Sequence, residues 1–380
     1  MQNIVIIGTG LAGYNLAREI RKHDKTVKLA MLSEDDGTFY SKPMLSNALA
    51  KGKTPDELAM ADVAKMRADL DADIIANTTV SAIDTDNKSI QFNNEKRQFD
   101  KLVLAVGARP FVAPIEGDAK ADILTINNLQ DYREFRTRLA NKKSVAIIGP
   151  GLIGCEFAND LIEAGFAVSV IGPDQAPLGR LLPESTGLPL QQALQDKGVV
   201  WHLQTTAQRI DKIGGGYRLT LANGESVLAD IVISAIGLRA DMSLASETGL
   251  HCERGIVVDR HLMSSHKDIY ALGDCAQVDG LVLPYILPIM QCARALAQTL
   301  TGTPTTVTYP PMPVVVKTPA YPLVISPPPA EASGAWQIEQ TAEACTALFK
   351  HNDALLGFML GGKAVTERQA LTKLLPPILA

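Results

Sequence analysis

The stretch "NIVIIGTGLAG", residues 3–13, decides the fold. A short β-branched run ends in glycine, and the pattern G-x-G-x-x-G follows at Gly8, Gly10 and Gly13. Such a run suits a strand buried on both faces. The first glycine permits a tight turn, the second lets backbone approach a pyrophosphate, and the third lets the next helix pack close. Ala12, Leu16, Ala17 and Ile20 fall on one side of that helix, with Arg18, Arg21 and Lys22 on the other. "VKLAML" (27–32) is the next strand, which completes a βαβ unit with a parallel sheet and a right-handed crossover. The free N–H groups at the helix start favour an anion. Glu34, just past the second strand, is placed to accept from a ribose 2′-hydroxyl.

The same grammar returns at 144–172 as "SVAIIG", "PGLIGCEFANDLIEAG" and "AVSVIG", with glycines at Gly149, Gly151 and Gly154. Here Gly172 and Pro173 follow the second strand, so the ribose carboxylate is missing or displaced to Asp174. No arginine follows directly to hold a 2′-phosphate, Arg180 being the nearest, and this favours NADH over NADPH. Between the units, "RQFDKLVLAVGARPFVAPIEG" (97–117) carries a strand and then glycine and two prolines; "ADIVISAIGLRAD" (229–241) matches it after the second unit. Each reads as a strand that leaves one domain and crosses towards the other. A third motif, "YALGD", ends a strand at Gly273-Asp274, where an acid suits a polyol or serves as an ordinary turn exit. After the prolines of "YPPMP" (309–313), strands are expected at 314–317, 335–340 and 345–350, with a helix near 364–375.

With 380 residues the chain is too long for one ordinary core, so two or three domains are expected. Its 46% hydrophobic and 20% charged residues are those of a globular protein, and the net charge of −5 argues against nucleic acid as main partner. The cysteines at 155, 252, 275, 292 and 345 include no C-x-x-C pair. Their odd number and scattered histidines suggest neither a disulfide framework nor a metal site. Free thiols fit a reducing cytoplasm. The apolar start lacks a basic region, and "LVLPYILPIM" (281–290) is too short and too proline-rich to span a bilayer, so no membrane insertion is expected.

Two dinucleotide units with "YALGD" after the second is the plan of the two-dinucleotide-binding flavoproteins, which this chain resembles over nearly its whole length. The resemblance implies an α/β, glutathione-reductase-like architecture: two Rossmann-like three-layer dinucleotide-binding domains plus a small α+β C-terminal domain. An FAD-binding domain would take residues 1–112 and 241–313, an NAD-binding domain 113–240, and the C-terminal domain 314–380. FAD is expected at Gly8, Thr9, Gly10, Leu11, Ala12, Gly13 and Glu34, with Val80 at the adenine and Arg109, Gly273 and Asp274 nearby. The nicotinamide dinucleotide is expected at Gly149, Gly151 and Gly154.

Members of this group differ in where electrons go next. The first helix, "AGYNLAREI", has no cysteine, and the second unit has no C-x-x-C. Ser41-Lys42 stands where NADH oxidases and peroxidases keep a thiol. Cys155 reads as a packing residue. Electrons are therefore expected to pass from FAD to an external one-electron carrier. "YSKPMLS", "GLIGCEFANDL", "DIYALGDCAQVDG", "CARALAQTLTG" and "MPVVVKTPAYPLVISPPP" resemble segments of bacterial rubredoxin reductases. That implies an NADH-oxidising enzyme whose partner is rubredoxin, a small acidic one-electron carrier, often serving alkane hydroxylation. A lysine in a loop reads, by itself, as a solvated charge. The resemblance instead implies Lys42 at the flavin edge, Glu156 as its counter-charge near the nicotinamide, Lys317 approaching from the C-terminal domain, and Ile286 reaching the flavin by its backbone. Three other readings stay open. The acceptor is a 2Fe–2S ferredoxin, or a rubredoxin-bearing flavo-diiron nitric oxide reductase, or the chain is a flavin-bound redox sensor with slow turnover.

Overall fold

A computed structural model describes residues 2–380. The strand Asn3–Ile7 lies at the centre of a five-stranded parallel sheet, and Ile4, Val5 and Ile6 are fully buried there. Lys28–Leu32 and then Asp73–Ile75 lie on one side of it, Lys101–Leu104 and then Ile269–Ala271 on the other. The last of these strands comes from beyond the second glycine motif, so the first unit is built from two stretches of chain. The helix Leu11–His23 buries Ala12, Leu16, Ala17 and Ile20, the apolar side of its sequence. It packs against the long helix Ile286–Leu300.

The second unit repeats the plan with four parallel strands in the order Val200–His202, Ala167–Ile171, Ser144–Ile148, Ile231–Ser234. Each unit also carries a three-stranded antiparallel meander that leads directly into a sheet strand, Lys101–Leu104 in the first and Ile231–Ser234 in the second. In the first these strands are Val80–Asp84, Ser89–Phe92 and Glu95–Gln98; in the second, Ala207–Ile213, Gly216–Leu221 and Ser226–Ala229. The two crossing segments meet as an antiparallel pair, Ala108–Pro110 with Leu238–Ala240.

The C-terminal part holds more strand than its sequence suggests. Five antiparallel strands run in the order Val314–Val316, Leu323–Ser326, Ala354–Gly362, Ala344–His351, Ala335–Gln340. Leu323–Ser326 is hidden by the prolines that flank it, and Ala354–Gly362 by three glycines that read as breakers. Those glycines mark close approaches inside the sheet. A Cβ on Gly357 would meet the Ser326 carbonyl oxygen at 2.8 Å, and one on Gly361 would meet the Tyr321 ring at 2.6 Å. Where a helix was expected near 364–375, a 3₁₀ turn, Lys363–Glu367, leads into a short helix, Arg368–Thr372.

One face of this sheet, with Val316, Leu323, Ile325, Cys345, Ala347 and Met359, joins the apolar cluster of the second unit. Leu45, Ala48 and Leu58, from the segment after the first βαβ, enter the same cluster. Apolar burial thus fixes the loop "TFYSKPMLS" between the second unit and the C-terminal sheet. No helix among the described residues is long and apolar enough to cross a membrane.

Candidate active site

The two glycine loops form matching cradles. Gly8 has φ +112°, and a Cβ there would collide with the Ala105 carbonyl oxygen; a Cβ on Gly13 would collide with the carbonyl of Gly8. Gly10 caps the helix, and nothing stands within 4 Å of its missing Cβ. The turn is therefore closed on the inside by its own backbone and open outside, at a helix N-terminus. Gly149, Gly151 and Gly154 repeat the arrangement, with Ala235 in the place of Ala105.

Other expected residues gather at the first cradle. Leu11 and Ala12 open the helix. Buried Thr9 is hydrogen-bonded to Ser33, which donates to Asp35. A Cβ on Gly273 would stand 2.8 Å from that of Ala12, so the Gly273-Asp274 turn sits on the helix start. Asp274 Oδ1 is buried and has no hydrogen-bond partner. Burial pushes its carboxyl pKa up, against the pull of the Lys42 ammonium. A buried, unpartnered acceptor beside a phosphate-type cradle fits a bound dinucleotide with hydroxyl groups. Glu34 and Arg109 stand at the rim, with Arg109 Nη2 3.6 Å from Glu34 Oε2 and Arg109 Nε donating to Asp241 over 2.6 Å. Away from that cradle's glycine loop, Val80 opens its strand and is buried in the apolar core of the first unit, and Ile286 begins its helix and is exposed.

Strand register explains the missing acid of the second unit. Ile7 pairs with Leu32 and Ile148 with Ile171. Ser33, Glu34 and Asp35 therefore correspond to Gly172, Pro173 and Asp174, and proline takes the position of Glu34. The Pro150 ring fills the space that a Cβ on Gly172 would need. Arg180 is exposed.

The segment Lys42–Asn47 is a 3₁₀ helix with Pro43 in its first turn, where a missing N–H costs nothing. It packs on the second glycine-loop helix, Leu152–Glu163, which acts as a hub. Three buried polar residues on one side of that helix reach into other parts of the chain. Asp160 accepts from the backbone N–H groups of Leu49 (2.9 Å) and Ala50 (3.0 Å). Asn159 accepts from Ala320 N–H over 3.0 Å. Glu156 accepts from Ser46 Oγ, from Lys317 N–H at 2.9 Å, and from the Lys317 ammonium in an ion pair. Lys317 Nζ also donates to Ser46 Oγ at 3.2 Å.

This corrects the expected pairing: Lys317, not Lys42, neutralises Glu156. Lys42 Nζ instead donates to Asn127 Oδ1 at 2.7 Å. Asn127 Nδ2 donates to the Ala108 carbonyl, and its backbone N–H to Asp131 (both 2.8 Å). Asp131 in turn completes a capping box with Asn128 at the start of the helix Leu129–Leu139. Burial lowers the Lys42 pKa, while the Asp274 and Asp131 carboxylates oppose it. Ser46 and Asn127 are the site residues that sequence reading missed. The capping box is visible as N-x-x-D at 128–131, but nothing in that pattern connects its neighbour to Lys42.

All five cysteines are free. Cys155 is wholly buried on the second glycine-loop helix and its thiol pKa is pushed up by burial; burial also takes Cys275 up to about 12. Both are held as thiols, unsuited to attack or electron relay.

Comparison with known proteins gives family models, relatives and solved structures that match. Residues 2–299 match the model of the pyridine nucleotide-disulphide oxidoreductases, and residues 306–375 that of a rubredoxin binding C-terminal domain. The rubredoxin-NAD(+) reductase of Alcanivorax borkumensis is 46% identical over 381 aligned residues, covering 100% of both chains. The nitric oxide reductase FlRd-NAD(+) reductase of Aliivibrio fischeri is 38% identical over 363 residues, covering 95% of each. Among solved structures, putidaredoxin reductase in its covalent complex with putidaredoxin superposes with a TM-score of 0.89 at 24% identity, over 99% of this chain and 94% of that one. The NADH:rubredoxin oxidoreductase of Clostridium acetobutylicum does so with a TM-score of 0.82 at 21% identity, over 98% of this chain and 94% of that one. At those identities the structures speak to the fold.

Proposed function

The chain belongs to the pyridine nucleotide-disulphide oxidoreductase family, and from that premise we propose that it is an NADH:rubredoxin oxidoreductase. The glycine loop at Gly8, Gly10 and Gly13 would hold FAD, and that at Gly149, Gly151 and Gly154 would hold NADH. One observation carries the reading. The C-terminal sheet, matched as a rubredoxin binding domain, delivers Lys317 to Glu156 on the helix of the second cradle. Nicotinamide site and carrier domain thus meet at one ion pair, with no redox cysteine between them.

FAD, when bound, supplies the step that a nicotinamide and a one-electron carrier cannot share, taking two electrons as hydride and releasing them singly. The protein supplies position and field. Helix N-termini would hold the pyrophosphates at Gly10 and Gly151. Asp274 would accept from a ligand hydroxyl. Lys42 would set a positive charge, and a donor, beside the electron-rich part of FAD. Glu156 and Lys317 fix the second glycine-loop helix against the C-terminal domain and so would hold the nicotinamide cradle in shape. Arg109 and Glu34 close the rim.

We further place the protein in the cytoplasm, supported by its free thiols, and its rubredoxin in service of an alkane hydroxylase, supported by the sequence resemblance alone. A second acceptor, the rubredoxin module of a flavo-diiron nitric oxide reductase, is favoured by the 38% identity to a reductase of that name. Anaerobic titration tests the donor half: one equivalent of NADH should bleach the bound FAD. Protein that is bleached by NADPH and untouched by NADH would overturn it.

A further inference from the structure

The Lys42 side chain is half-buried, and its ammonium makes no ion pair among the described residues. Its one hydrogen bond among the described residues goes to a neutral amide, Asn127 Oδ1. A lysine has three N–H donors, so two remain unspent. The nearest carboxylates acting on it, Asp274 and Asp131, lie beyond ion-pair contact; Asp131 is engaged with the N–H groups of Asn127 and Asn128. The Asn127 amide cannot turn over, because its Nδ2 already donates to the Ala108 carbonyl in the crossing strand. A carboxylate in its place would satisfy the ammonium fully and cancel its charge. A neutral acceptor fixes the same atom and leaves the charge intact.

We propose that Asn127 is the positioning residue for Lys42: it pins Nζ while keeping the positive charge and two donors available to an electron-rich ligand in the first cleft. Asn127 lies between the crossing strand and the first helix of the second unit, so that unit sets the electrostatics of the first. The inference rests on the reading of Lys42 as the group facing bound FAD.

The test is the midpoint potential of FAD in the holoprotein, measured by spectroelectrochemistry in a double-mutant cycle. Asn127→Asp should make FAD harder to reduce by about tenfold in the reduction equilibrium, or about 30 mV for a two-electron couple. In a Lys42→Met background the same substitution should shift the potential far less. Asn127→Gln, which retains an amide, should restore most of the wild-type value. An Asn127→Asp protein with the wild-type potential overturns the proposal. So does a shift that persists without Lys42, since a structural role for Asn127 would leave it there. If Lys42→Met leaves the potential unchanged, the reading of Lys42 itself fails; if Lys42→Met shifts it and Asn127→Asp does not, only the role of Asn127 fails.

Discussion

Lys42 begins the short helix that Lys317 reaches at Ser46, and the two lysines stand in opposite electrostatic conditions. Lys317 is neutralised by Glu156; Lys42, four residues before Ser46, is held by an amide. Removing Lys42 should therefore change chemistry more than stability. Lys42→Met should keep FAD bound but slow its reduction by NADH, on the order of a hundredfold, the usual cost of losing one well-placed donor to developing charge. Rapid mixing with NADH checks this. Glu156→Ala should instead act on stability, because it strands the Lys317 ammonium near Ser46. A loss of about 3 kcal/mol, read by denaturant unfolding, is expected. All three charged residues were legible in the sequence through family resemblance, but their pairing was not. Which lysine meets Glu156 is decided by how the C-terminal sheet docks, and no local pattern encodes that.

At the scale of elements, the strand-glycine-helix units were read correctly because strand, turn and helix are adjacent in sequence and each constrains the next. Gly154→Ala tests the turn. Its Cβ would collide with the Gly149 carbonyl, so the loop must open, with an expected loss of about 1–3 kcal/mol and weaker NADH binding. Calorimetry in the presence and absence of NADH measures both. The first sheet has a charged staple as well: Asp268 pairs with Lys101, which opens a sheet strand, and with Lys88, which precedes a meander strand (both 2.6 Å). Burial pushes the Asp268 pKa up, but the two ammonium groups outweigh it and hold the carboxyl at about 2. A depressed carboxyl stabilises the fold above its unfolded pKa near 4 and loses that contribution as pH falls towards 2. Asp268→Asn should cost about 2 kcal/mol at pH 7, and the gap to wild type should close between about pH 4 and pH 2. The elements missed from sequence, Leu323–Ser326 and Ala354–Gly362, are those whose prolines and glycines serve packing between strands rather than turns.

At the scale of the molecule, one helix, Leu152–Glu163, ties the loop after the first βαβ and the C-terminal sheet to the second glycine cradle through Glu156, Asn159 and Asp160. The second glycine cradle, the loop after the first βαβ and the C-terminal sheet are thus mechanically continuous. The sequence showed the three parts but not their junction, which depends on contacts between residues over a hundred positions apart. The central claim is that electrons leave this assembly for rubredoxin. It is tested most directly by mixing the NADH-reduced holoprotein in a stopped-flow instrument with rubredoxin and, separately, with a 2Fe–2S ferredoxin. Fast, saturable reduction of rubredoxin and at least tenfold slower reduction of ferredoxin is the expected result. Faster transfer to ferredoxin, or sluggish transfer to both carriers, would contradict the account.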